Sequence, residues 1–475
     1  MISSVTAGTA PRAAAPREGV DPGRWPDVAH LPRASRARTA VATALVERAL
    51  TRLPLQVAWP DGSRTGASGP TLRLRDPVAF HRRIGADGLI GFGESYMAAE
   101  WDADDLVAVL TVLAGNVGGL VPPAVQRLRG LWQHRAPRDE RNTAAGARRN
   151  IHRHYDLSNE LFGLFLDETM TYSSALFPRL PARWDDLATA QDAKTDRLLD
   201  LAGVGPGTRL LEIGTGWGRL ALRAAARGAR VVTITLSGEQ RDLAAARVAA
   251  AGYADRVTVE LRDYRDVPGR YDAVVSAEMI EAVGAEFWPA YFDALRRALA
   301  PGGRAALQAI TMPHDRLRAT AGGYSWIGKY VFPGGVIPSA EAIERHAAGA
   351  GLRVVDDAGF GPHYAETLRL WRERFTAAAQ EVGDLGFDAV FRRMWEFYLA
   401  YSEAGFRADY LDVRHAVLAR ADDGASTLPS GPLPASGRPR GRTGEVPGGP
   451  PDPAACGETR PGAGPYATGP GGGAR

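Results

Sequence analysis

At 475 residues, with 45% hydrophobic and 23% charged side chains, the chain carries enough apolar content for two or three packed domains and lacks the bias of a fibrous or wholly disordered protein. Its net charge of +3 does not by itself imply nucleic acid as a partner. The single cysteine, Cys456, excludes an intrachain disulfide and any metal cluster built on cysteine.

Residues 1–37 are rich in Ala, Pro and Arg without periodicity and are expected to be flexible, with Trp25 and Leu31 as the residues that could dock. Residues 1–20 contain no apolar run of a secretory signal, and the longest apolar stretch, Leu106–Val121, is broken by glycines and too short to span a bilayer. A cytoplasmic protein is therefore expected. Residues 38–121 read as a small α+β domain. Its expected elements are a helix at Thr39–Leu50, strands at Leu55–Trp59 and Thr71–Leu74 flanking an Asp61-Gly62 turn, and helices at Asp76–Arg83, Phe92–Trp101 and Asp104–Leu113. Residues 122–153 make a basic helix or linker holding Arg127, Arg129, Arg135, Arg138, Arg141, Arg148, Arg149 and Arg153. Such a run is either a solvated face or a surface for anionic lipid head groups.

Residues 154–420 alternate between strand and helix patterns. The spacing predicts strands at Arg209–Ile213, Val231–Leu236, Val257–Leu261, Ala273–Ser276, Ala305–Ile310 and Leu352–Val355. Helices are expected at Ala188–Ala202, Leu220–Arg227, Glu239–Ala251 and Trp288–Leu299, then at Tyr364–Ala379 and Phe387–Ala404. This is the signature of a doubly wound α/β sheet. Residues 313–340, with Tyr324, Trp326, Tyr330 and Phe332, interrupt the alternation and read as a lid. The tail, 421–475, is dominated by Gly, Pro, Ser and Arg and is expected to be disordered.

The chain is organised around Arg209-Leu-Leu-Glu-Ile-Gly-Thr-Gly-Trp-Gly-Arg219. A buried strand runs into a turn with Gly214, Gly216 and Gly218, and an Ala-rich helix follows. That arrangement turns backbone N–H groups toward an open pocket with no Cβ in the way, and Glu212 stands at the strand's end as an acceptor. The spacing is not the G-x-G-x-x-G of dinucleotide folds.

With these residues in view, the sequence resembles the cyclopropane-fatty-acyl-phospholipid synthase family of S-adenosylmethionine (SAM)-dependent methyltransferases. Four ordered segments carry the likeness: His154-Tyr-Asp-Leu-Ser-Asn with Met170-Thr-Tyr-Ser-Ser174; Leu211-Glu-Ile-Gly-Thr-Gly-Trp-Gly218; Thr235-Leu-Ser-Gly-Glu-Gln240; and Glu278-Met-Ile-Glu-Ala-Val-Gly284. The stretches Gly88–Met97, Leu307–Pro313, Pro362–Phe375 and Tyr401–Arg407 bring it nearest the actinobacterial branch that methylates oleoyl phospholipids toward 10-methylene- and 10-methyl-stearate (tuberculostearate). The resemblance implies a class I SAM-methyltransferase, Rossmann-like sheet with helical lid insertions, and transfer of a methyl or methylene group to a cis double bond. The alternative products are a cyclopropane ring and a methylene branch. A SAM enzyme for a small molecule, or a non-catalytic lipid-binding relative, are the remaining readings.

The same resemblance implies a cofactor site of Tyr172, Ser173, Glu212, Gly214, Gly216, Thr235, Gln240, Asp263 and Tyr264. It implies a bound bicarbonate ion as the base, cradled by Glu281, Gln308, Ile310, Tyr364 and Ser174, and no metal. Ser174 stands where the family usually has Cys, Ala282 and Gln308 where members have His, and Ser402 where some have another Cys. Methyl transfer to an alkene leaves a carbocation, which aromatic faces stabilise; Tyr324, Trp326 and Tyr330 are the candidates. The expected partners are phospholipid acyl chains at the membrane surface, on the cytoplasmic, inner face, and no nucleic acid. A separate reductase acting on the product and a homodimer are further candidates.

Overall fold

The computed structural model describes residues 17–116, 137, 140–143, 146–147, 149–150 and 158–424, all within one compact unit. His154–Leu157 of the first family segment, the arginines at 127, 129, 135, 138, 148 and 153, and the tail from 425 lie outside the described residues.

Near the N-terminus, β1 (Gln56–Ala58), β2 (Arg64–Gly66), β3 (Thr71–Leu74) and β4 (Trp101–Ala103) form a four-stranded sheet in the order β2-β1-β3-β4. The Asp61-Gly62 turn does make a hairpin, with Asp61 accepting from the Ser63 N–H at 2.9 Å. It joins β1 to β2, however, while β3 pairs with β1 in parallel. β2 is exposed on every residue, so it carries no apolar alternation to read. Trp101, expected to end a helix, begins β4: the Leu89–Met97 helix stops where Ala99 takes φ +54°.

The second sheet holds β5 (Arg209–Ile213), β6 (Arg230–Thr235), β7 (Val257–Leu261), β8 (Tyr271–Ala277), β9 (Leu299–Thr311), β10 (Leu352–Gly359) and β11 (Asp412–Arg420), in the order β10-β11-β9-β8-β5-β6-β7. β5 to β9 are mutually parallel, and β11 is antiparallel to both its neighbours. The order reverses beside β5, so a crevice opens at the carboxyl ends of β5 and β8, where open α/β sheets take ligands. This is the expected doubly wound sheet. β11 was not anticipated.

The N-terminal elements pack directly on the C-terminal helices. Phe80, Tyr96 and Trp101 share one hydrophobic cluster with Phe375, Trp395 and Phe397 of the C-terminal helices Gly361–Ala377 and Ala389–Arg407. The Arg393 guanidinium lies 4.0 Å over the Tyr96 ring and its Nε donates to the Tyr96 carbonyl. Residues 17–35 also contact the body, Trp25 being one of the two residues expected to dock. Val28 is buried, the buried Arg83 donates to the carbonyls of Asp27 and Val28, and the Trp25 indole donates to Asp388 at 2.7 Å.

Candidate functional site

The glycine turn after β5 takes conformations that favour glycine. Gly214 has φ +99° and Gly218 φ +88°, and a Cβ on Gly218 would stand 3.1 Å from Ala244. A Cβ on Gly216 would meet nothing within 4 Å, so this backbone faces open space. The space is a pocket lined by Tyr172, Ser173, Glu212, Gly214, Gly216, Thr235, Gln240 and Tyr264, which are eight of the nine residues expected at a cofactor. Asp263 is the exception. It does not line the pocket; its carboxylate accepts from the Arg265 backbone and pairs with the Arg265 guanidinium at 2.7 Å.

Glu212 is buried beneath the turn, and its Oε2 has no hydrogen-bond partner among the described residues. Burial pushes its carboxyl up to about 8, against smaller opposing pulls from Thr233 and then Lys194. Lys194, on the Leu187–Ala202 helix, donates to Ser173 Oγ at 2.6 Å, and burial brings its ammonium down to about 8. On the far side, Thr235 Oγ1 donates to Gln240 Oε1 at 2.9 Å while Ser237 caps the Gly238–Ala250 helix. The fit to SAM is good. A cationic cofactor would meet an unpartnered carboxyl, and the glycine backbone leaves it room.

The pocket continues to Glu278, just past the end of β8. Three of the five groups expected around bicarbonate converge on this side chain. Glu278 Oε1 accepts from the Ser174 N–H at 2.9 Å and from Gln308 Nε2 at 2.7 Å, and Oε2 accepts from the Tyr364 hydroxyl at 2.6 Å. The other two pair with each other: Glu281 Oε1 accepts from the Ile310 N–H, and Glu281 Oε2 has no partner. The Ser174 hydroxyl donates to the Ala175 carbonyl instead, so the Cys-to-Ser departure does not remove a contact to Glu278. Gln308 is oriented from behind, because His415 Nε2 lies 2.9 Å from its Oε1 across the β9–β11 register. His415 is fully enclosed, and burial holds its pKa well below the usual histidine range, so it is neutral and donates from Nε2.

Burial raises Glu278 and Glu281 alike, and Glu281 is pushed up to about 8, by desolvation first and by the Glu278 charge second. Two carboxyls this close do not both ionise readily. Glu278 receives three donors and Glu281 one, so the negative charge rests on Glu278 and the proton on Glu281. Glu278 keeps some accessible surface on the pocket it lines, although protein surrounds it. The expected bicarbonate does not fit this arrangement: a fixed carboxylate already takes three of its donors, and a second anion would meet like charge.

The lid aromatics are placed elsewhere than expected. Trp326 is buried edge-on against Phe397, 4.8 Å between ring centres, and a Cβ on Gly93 would stand 2.4 Å from its indole. Tyr330 donates to the buried Glu94 at 2.8 Å, and Tyr324 to Glu140 at 2.9 Å. None of the three lines the pocket; Trp326 and Tyr330 fasten this segment to the Leu89–Met97 helix, and Tyr324 fastens it to Glu140. The ring in contact with Glu278 is that of Tyr364, and Tyr172 lines the same pocket, its ring packed on Trp371 and its hydroxyl 2.8 Å from that of Tyr398. Sequence reading missed Glu278, Lys194 and His415. The signal for Glu278 was present as paired glutamates three residues apart at a strand's carboxyl end.

The family model for mycolic acid cyclopropane synthetase matches residues 142–416. The tuberculostearic acid methyltransferase UfaA1 of Mycobacterium tuberculosis is 55% identical over 415 residues, covering 85% of this chain and 97% of that protein. The cyclopropane-fatty-acyl-phospholipid synthase of Escherichia coli is 33% identical over 360 residues, covering 75% of this chain and 89% of that one. Among solved structures, mycolic acid cyclopropane synthase CmaA1 complexed with SAH and CTAB aligns with a TM-score of 0.53 at 32% identity, over 57% of this chain and 97% of its own.

Proposed function

Because the chain belongs to the mycolic acid cyclopropane synthetase family and is a SAM-dependent methyltransferase, we propose that it modifies the cis double bond of oleoyl-type acyl chains in phospholipids. The product we assign is 10-methylene-stearoyl lipid, a precursor of a methyl-branched chain. The observation that carries this reading is the junction of a cofactor pocket with a proton-accepting cluster, Glu278 lying on the wall of both. The 55% identity to a tuberculostearic acid methyltransferase favours the methylene product, and the likeness to the Escherichia coli synthase keeps the cyclopropane ring as a second reading. Both products begin from the same cation.

SAM supplies an electrophilic methyl group when bound. The protein's task is to hold the alkene in line with that methyl and to exclude water, since the uncatalysed encounter of a weak nucleophile with a sulfonium is slow. The glycine turn, Thr235 and Gln240 line one part of the pocket, and Tyr172, backed by the buried Trp371, lines another with an aromatic face that attracts a cation. An acyl chain of a bilayer lipid must be reached from the surface. No helix among the described residues is long and apolar enough to cross a membrane, and we assign the enzyme to peripheral contact at the cytoplasmic face. A separate reductase acting on the methylene product and a homodimer belong to the same proposal. Mass spectrometry of lipids after incubation with SAM and oleoyl phospholipid tests the reading. A mass gain of one CH2 per acyl chain is expected, with ozonolysis separating methylene from ring; no gain overturns it.

A further inference from the structure

We propose that Glu278 is the base of this enzyme: its own carboxylate stands where a bicarbonate ion would otherwise be recruited, and it takes the proton from the methyl carbon delivered to the alkene. The inference rests on the methyltransferase reading above and names the group that completes its chemistry.

The cradle is the first ground. A peptide N–H, a carboxamide and a phenol, from segments far apart in sequence, all donate to one carboxylate. That donor set suits an anion that must stay ionised in a closed site. The backbone is the second ground. Glu278 has φ +52°, in the left-handed region that favours glycine. The conformation turns the carboxylate off the end of β8 into the cofactor pocket, which it lines. The hydrogen-bond chain is the third ground. His415 sets Gln308 so that its NH2 group, not its carbonyl, faces Glu278. A flipped carboxamide would oppose two acceptors.

The electron count closes without an outside base. The methyl carbon bonds to one alkene carbon as its bond to sulfur breaks, leaving the positive charge on the neighbouring carbon. A C–H bond of the delivered carbon then breaks. Its electron pair closes a three-membered ring, or, after a hydride moves from the methyl-bearing carbon to its neighbour, forms the exocyclic double bond. In either case the proton passes to a lone pair of Glu278 Oε2, and it returns to solvent once the products leave. Three hydrogen bonds hold the carboxylate in place and weaken it as a nucleophile that would trap the cation.

The test has an activity arm and a binding arm. Wild-type protein should make product at the same rate in CO2-stripped buffer and with added bicarbonate. Glu278→Gln keeps the shape but removes the base, and kcat should fall by about 10²–10⁴-fold, well beyond any loss of SAM affinity that calorimetry records. Glu278→Gly relieves the left-handed backbone and empties the cradle. It should bind 13C-bicarbonate, seen by NMR, where wild type does not, and bicarbonate should restore part of its activity. Saturable bicarbonate binding by wild type, stimulation of wild type by bicarbonate, or full activity in Glu278→Gln would each overturn the proposal. If wild type modifies no unsaturated phospholipid at all, the lipid reading fails, and the labelled-bicarbonate comparison still decides what occupies the cradle.

Discussion

SAM binding should expel a proton from Glu212. In the empty pocket this carboxyl is buried, has one oxygen without a partner, and is pushed up to about 8. Below that pH it is therefore protonated. SAM brings a sulfonium and an ammonium, and positive charge favours the ionised carboxyl, so the bound-state pKa must be lower than the free one. The sign follows: affinity rises with pH until the free carboxyl ionises by itself, and then levels. If the bound-state pKa lies below pH 6, ionisation of the free protein climbs from about 1% at pH 6 to about 50% at pH 8, and Kd should tighten by about 50-fold, a little over 2 kcal/mol at about 1.4 kcal/mol per pKa unit. Calorimetry at several pH values, in buffers of different ionisation enthalpy, measures both the affinity and the protons released. Lys194 faces the same carboxyl and also titrates near 8, so Glu212→Gln is the deciding arm. That variant should flatten the pH dependence. A pH-independent Kd in wild type, or an unchanged slope in Glu212→Gln, would refute the reasoning.

Gly214→Val should abolish SAM binding: φ there is +99°, and even a Cβ would come within 2.6 Å of Met279 Cγ, so the branched side chain must displace Met279 into the pocket wall. Calorimetry checks this, and unchanged affinity would remove the turn from the cofactor site. Tyr364→Phe deletes the 2.6 Å donor to Glu278 and should lower kcat by about 10-fold or more while KM moves little, since the bond serves the proton-transfer step. Ser174→Cys should be tolerated, because the backbone N–H, not the hydroxyl, contacts Glu278; loss of activity beyond a few-fold in steady-state assays would contradict that. If the basic run meets lipid, sedimentation with anionic vesicles should weaken as salt rises, exposed charges being screened over about 10 Å at 0.1 M, and again when Arg135 and Arg138 become Ser. Arg141 is the poorer target, since Glu286 already pairs with it.

What could be read from sequence was what a short contiguous stretch encodes. The β5 strand and its glycines, and the Thr235–Gln240 turn, each form from residues within a few positions of one another, and the structure places them round one pocket. β11 failed that test. Asp412-Val-Arg-His-Ala-Val-Leu-Ala-Arg420 mixes charge into an apolar run, and its place between β9 and β10 exists only after the sheet is assembled. There Arg414 is neutralised by Asp357 and Asp412, and His415 enters the core beside Gln308. The lid aromatics went astray for the same reason. Composition shows rings, but only the tertiary gap at Gly93 shows that Trp326 is spoken for.

The catalytic cluster is the extreme case of this rule. Its donors lie 104, 30 and 86 positions from Glu278, so no local pattern distinguishes that glutamate from Glu281. What separates them is the number of donors each receives, and that number decides which can stay ionised in a dry site. Glu278, with three, is fitted to accept a proton. Glu281, with the Ile310 N–H alone and a pKa near 8, is fitted to carry one, and its proton lets the two carboxyls stand together. The family resemblance implied a cradle for a diffusible anion, and three of its five groups donate to Glu278. Here the strand that ends at Ala277 turns once more through a left-handed residue, and the anion is part of the chain.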